Sequence, residues 1–103
     1  MKYGIIRTDT ADALIREIIL YIAENFGNSV ALKKLSELEE AILSLGDNPY
    51  IGTTPKYNVL KRQGYMVLIL EKNLVFYKIK EKIVTIYAVL GQIQNYLDII
   101  RGL

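Results

Sequence analysis

Leu14, Ile15, Ile18, Ile19, Ile22 and Phe26 return at steps of three and four, which lays one apolar stripe along a helix. Thr8, Asp9 and Thr10 precede the stripe, and each can accept hydrogen bonds from the free amides of a first turn. Asn25, Gly27 and Asn28 interrupt it, and Gly27 suits the left-handed conformation that ends a helix. Ser29 is placed to cap a second helix, whose stripe is Leu32, Leu35, Leu38, Ile42 and Leu45. Lys33, Lys34, Glu37, Glu39 and Glu40 fall on its wet side, Gly46 closes it, and Asp47-Asn48-Pro49 is a turn signal. Two such helices joined by a few polar residues predict an antiparallel hairpin.

The second half changes period. Tyr57–Arg62, Tyr65–Leu70, Leu74–Ile79 and Ile83–Val89 are short segments rich in Val, Ile, Leu and Tyr, which predicts strands. Gln63-Gly64, Glu71-Lys72-Asn73 and Lys80-Glu81-Lys82 separate them at hairpin lengths, so a meander follows. Lys2–Arg7 reads as a short opening strand. Gly91 ends the meander, and Tyr96, Leu97, Ile100 and Leu103 give a short terminal helix one stripe. The expected fold is therefore α+β, one domain over residues 1–103. An N-terminal helical hairpin packs on one face of a small twisted, mainly antiparallel sheet, a short C-terminal helix follows, and the other sheet face is left partly open.

Composition narrows the chemistry. The chain has 103 residues, enough for one hydrophobic core. Without cysteine it has no disulfide or thiolate metal site, and without histidine no Ser-His or Cys-His nucleophile system. In residues 51–103 the only acids are Glu71, Glu81 and Asp98, too few to suggest a carboxylate metal site, so no metal or other cofactor is expected. No apolar stretch approaches the length of a membrane span, and a cytoplasmic protein is expected. Charge is split along the chain: residues 1–50 sum to −3 and residues 51–103 to +5. All but one of the later bases lie between Lys56 and Lys82. That polarity fits an anionic partner such as nucleic acid, or equally a solvated face of edge lysines that deters strand pairing.

The order and spacing of several pieces resemble the RelE/ParE superfamily, the toxins of type II toxin–antitoxin (plasmid stabilisation) systems. The pieces are Ile18-x-x-Tyr21-Ile22-Ala23-Glu24, Leu38-Glu39-Glu40-Ala41-Ile42-x-x-Leu45, then Asn48-Pro49 and Gly52. Leu60-Lys61-Arg62-x-Gly64-Tyr65, Asn73-Leu74-Val75-Phe76-Tyr77-Lys78-Ile79 and Val84-Thr85-Ile86-Tyr87-Ala88-Val89-Leu90 complete the set, which runs over almost the whole chain. The resemblance implies a growth-arrest toxin neutralised by a cognate antitoxin. RelE-like members cut mRNA on the ribosome, the activity taken first here; ParE-like members inhibit DNA gyrase without nuclease activity. An inactive toxin fold kept as a binding module is the third alternative.

By the same resemblance, Arg62, Lys78 and Tyr96 are the candidate catalytic residues, and Lys56, Lys61, Arg62, Lys78 and Lys80 would hold RNA phosphates. Fixed cations beside a phosphate can supply much of a barrier reduction without histidine. The chain departs from the family pattern where basic residues are usual: Met66 follows Gly-Tyr, Ala88 stands in the last strand, and Gly91-Gln92-Ile93-Gln94-Asn95 replaces an arginine-rich segment.

Each candidate also has a plainer reading. Lys61 and Arg62 can be a solvated strand end. Lys78 shares strand parity with Leu74 and Phe76, so it lines a groove or lies along a sheet edge with its stem on apolar surface. Tyr96 fits helix packing as well as proton transfer. Tyr57, Tyr65, Tyr77 and Tyr87 are either cross-strand packing residues or a platform for stacked bases.

Overall fold

The computed structural model describes residues 2–91. Its elements are β1 (Gly4–Arg7), α1 (Asp9–Phe26), α2 (Asn28–Ser44), α3 (Asn58–Arg62), β2 (Met66–Ile69), β3 (Asn73–Lys80) and β4 (Ile83–Gly91). The predicted terminal helix, with Tyr96, lies outside the described residues.

α1 starts where its cap is. The Thr8 side chain accepts from the Ala11 amide at 3.0 Å, and Asp9 and Asp12 set negative charge against the positive end of the helix. Gly27, at φ +96°, ends α1 and serves as the N-cap of α2. One residue thus reverses the chain, so Asn28 and Ser29 enter α2 directly and Ser29 is not its cap.

The sheet has four strands in the order β1-β4-β3-β2. β1 runs parallel to β4 from Gly4↔Ile83 to Arg7↔Ile86, and the other two pairings are antiparallel. The helical hairpin covers one face: Ala11, Ile15, Leu38, Ile42 and Leu45 pack with Val75, Tyr77, Val84, Ile86 and Val89. Arg7 on β1 reaches Asp12 at 2.9 Å and Glu39 at 3.9 Å. These side chains are partly exposed, so the pairs orient β1 against both helices and contribute at most about 1 kcal/mol.

The segment expected as a first hairpin strand, Tyr57–Arg62, is helical instead. α3 is a single turn capped by Gln63, with Gly64 at φ +87°. The Tyr65 amide donates to the Leu60 carbonyl at 3.2 Å and the Gly64 amide to the Lys61 carbonyl at 3.1 Å, which closes a Schellman motif. Gln63-Gly64 is therefore a helix stop rather than a hairpin turn, and one helical turn is too short to show a 3.6-residue period. α3 covers part of the second sheet face, where Leu60, Tyr65, Val67, Phe76, Ala88 and Leu90 form a second buried cluster.

Residues 46–56 are fixed from beneath. The Tyr77 hydroxyl, buried in the first core, donates to the Pro49 carbonyl at 2.8 Å and accepts from the Gly52 amide at 3.1 Å. Thr53 and Val67 exchange backbone bonds at 2.8 and 2.9 Å, which joins the loop to the edge of β2.

The β3–β4 turn places two non-glycine residues at positive φ, Glu81 at 51° and Lys82 at 65°. Two-residue hairpin turns with two positive φ values favour Asn-Gly. The double substitution Glu81→Asn, Lys82→Gly is expected to stabilise the fold by about 1 kcal/mol, raising Tm by roughly 4–8 °C. An unchanged or lower Tm would mean that the turn is not strained.

Candidate functional site

Lys78 leaves β3 on the face away from the helical hairpin, against a pair of tyrosine rings. Its Nζ lies 4.5 Å from the Tyr65 ring centroid and 5.2 Å from that of Tyr87. The rings meet edge to face, 5.4 Å apart at 83°. Both rings lie within cation–π distance of the ammonium and adjoin one another on the same side of it. Burial pushes the Tyr65 phenol above its ordinary value, and the adjacent Tyr87 phenol pushes it the same way, so Tyr65 stays neutral.

Backbone irregularity builds this cluster. The ladder between β3 and β4 pairs Phe76 with Ala88 but Tyr77 with Ile86, so Tyr87 is an extra residue in β4. Tyr87 and Ala88 consequently both pack with the second cluster, Tyr87 half-buried at its margin and Ala88 wholly inside it. Tyr65 is placed by the Schellman motif that ends α3. The four tyrosines are therefore not one platform: Tyr77 points into the first core, whereas Tyr57, the N-cap residue of α3, packs with Tyr65 and Tyr87 on the second cluster.

Of the predicted phosphate-binding residues, Lys78 and Lys80 are on β3, Lys61 and Arg62 are on α3, and Lys56 precedes α3. Lys78 is half-buried, while Lys56, Lys61, Arg62 and Lys80 are exposed. Lys56 lies over the Tyr57 ring at 5.3 Å. Lys61 and Arg62 occupy the last turn of α3 rather than a strand end. Tyr96 lies outside the described residues.

The positions where basic residues are usual in the family are apolar for a visible reason. Met66 pairs with Tyr77 and packs against the first core, away from the open face. Ala88 is 0% exposed beneath α3, where a cation would be desolvated without a partner. Among the described residues no group of three acids could hold a metal ion, and no helix is long and apolar enough to cross a membrane.

A second feature lies on the other side of the molecule. An open groove of roughly 1160 Å³ runs between the helical hairpin and the β2–β3 end of the sheet. Leu14, Ile18, Tyr21, Phe26 and Val30 give it an apolar wall, and Lys33, Lys34 and Lys72 stand at its margin with Glu17, Glu37 and Glu71. Tyr21, Phe26 and Val30 are 62%, 64% and 49% exposed, an unusual concentration of apolar surface.

The architecture is that of RelE/ParE-type toxins. A chain of the chromosomal ParDE toxin–antitoxin system of P. aeruginosa superimposes with a TM-score of 0.75, covering 87% of this chain and 96% of its own, at 20% identity. A chain of the RelBE2 toxin–antitoxin complex of Mycobacterium tuberculosis gives 0.66, covering 89% and 100%, at 17% identity. No curated protein sequence matches the chain significantly. The family model for the ParE toxin of type II toxin–antitoxin systems matches residues 5–96, and the chain belongs to that family.

Proposed function

We propose that this toxin arrests growth by binding DNA gyrase without cutting nucleic acid, and that a cognate antitoxin neutralises it. The observation that carries the reading is the apolar fate of Met66 and Ala88, one packed against the first core and the other sealed under α3. A nuclease needs several cations converging on one phosphate, whereas here a single lysine sits at the centre of the face and the other bases are spread around it. The match to the ParE family model supports the same direction. Ribosome-dependent mRNA cleavage, with Arg62, Lys78 and Tyr96 as catalytic residues, is the alternative to be tested against it.

The two solved relatives are parts of toxin–antitoxin systems, and on this chain the groove along the helical hairpin is the seat we assign to an antitoxin. An amphipathic helix laid in a groove is read through apolar anchors at one-turn spacing. Tyr21, Phe26 and Val30 are suited to receive such anchors, with Lys33, Lys34 and Lys72 meeting acids on the antitoxin.

Pulse labelling after induction of the chain alone separates the targets. DNA synthesis is expected to fall before protein synthesis, and the purified chain is expected to inhibit supercoiling by gyrase. Protein synthesis falling first, with cleaved mRNA on ribosomes, would replace this reading by the nuclease one.

A further inference from the structure

Lys78 is more constrained than a surface lysine has reason to be. Its flexible stem ends in an ammonium held against two adjoining, perpendicular rings, and fixing such a side chain is costly in rotamer entropy. The rings do not neutralise it. Among the described residues no carboxylate pairs with Lys78. Two separate backbone devices, the bulge at Tyr87 and the helix stop before Tyr65, converge on this one cation. Packing alone would be met by a methionine or leucine at position 78, so the charge calls for another account.

We infer that Tyr65 and Tyr87 are positioning residues that hold Lys78 ready to meet a backbone phosphate of duplex DNA. A lysine already fixed loses little further freedom when it binds, which is the advantage of preorganisation. Of the flanking bases, Lys80 continues β3 past Lys78, Lys61 and Arg62 end α3, which packs on this face through Leu60, and Lys56 precedes α3; the four are exposed. That spread suits a run of phosphates rather than one isolated anion. The helical layer carries most of the acids and would face away from the DNA. The choice of DNA rests on the gyrase reading above; the role of the two tyrosines does not.

The test uses the full chain and a short fluorescein-labelled DNA duplex, titrated by anisotropy at several salt concentrations. Lys78→Met keeps the stem and removes the charge; binding should weaken about tenfold at low salt, and the slope of log K against log [salt] should shrink by about 0.9. Tyr87→Leu should weaken binding about fivefold with the slope unchanged, because the charge is present but no longer held. Tyr87→Phe keeps the ring and should bind within about twofold of the parent. Tyr87 is half-buried at the margin of its cluster, and thermal melting verifies that each variant is folded.

Parent-like binding by Lys78→Met would overturn the inference, as would equal affinities for the Leu and Phe variants. Tighter binding to single-stranded RNA than to duplex at matched salt would overturn the assignment to DNA. If the chain leaves gyrase untouched while the Met and Leu losses appear, the gyrase reading falls and the tyrosine clamp stands.

Discussion

Gly52→Ala is expected to destabilise the fold by about 2–3 kcal/mol, lowering Tm by roughly 10–20 °C. A Cβ at this position would overlap the Tyr77 hydroxyl and lie 2.8 Å from the Val67 carbonyl oxygen. The clash falls where Tyr77 holds both Pro49 and Gly52, so relief by moving the loop breaks two buried hydrogen bonds. Tyr77→Phe alone should cost about 1–3 kcal/mol, since it leaves the Pro49 carbonyl and the Gly52 amide without their partner. The two substitutions should combine to less than their sum, because removing the hydroxyl also removes part of the clash. Denaturant melts of the single and double variants measure this directly. Strict additivity would mean that the loop relaxes independently of Tyr77.

Tyr21→Asp combined with Val30→Asp should release the toxin from its antitoxin while leaving toxicity intact. Both residues are largely exposed in the free chain, so aspartate costs little there. In a complex seated in the groove, two carboxylates would be buried against apolar anchors without partners. Affinity for the antitoxin should fall at least a hundredfold, equivalent to about 2.7 kcal/mol. Co-expression would then no longer rescue growth, and isothermal titration would give the lost affinity. Neutralisation at parental strength would place the antitoxin elsewhere on the molecule.

Much of the frame was legible because its signals are local. Thr8 and Gly27 bracket α1 with a cap and a stop, and the stripes of both helices identify most of the buried faces, although Phe26 and Leu32, beside the turn that joins the helices, stay 64% and 63% exposed. The strand parity of Lys78 with Leu74 and Phe76 correctly gave its face. What was hidden depends on contacts distant in sequence or on single-residue irregularities. α3 reads as a strand in the sequence because Gly64 works equally well in a turn or at a helix end. The Lys78 clamp was missed because regular alternation through Ile83–Val89 cannot register the extra residue at Tyr87. Gly52 was recognised within the family pattern, but its reason is a hydroxyl 25 residues away. The split in charge was visible from composition, and it separates an acidic helical layer from a basic sheet face.

The parallel pairing of β1 with β4 also bears on how the chain acquires its fold. β4 is the last strand synthesised among the described residues, yet it lies between β1 and β3 and bonds to both. The Thr8 amide and hydroxyl find their acceptors in Ile86 and Tyr87, the latter 79 residues downstream. Contacts of such separation close late, because the loop entropy must be met before they contribute. During synthesis the helical hairpin can therefore form by local contacts while its inner face still lacks the sheet. The bulge that seats Tyr87 beside Lys78 is laid down in that same final strand. A growing polypeptide thus carries its apolar stripe long before it carries the strand that covers it, and the sheet is complete only once that last strand is threaded between β1 and β3.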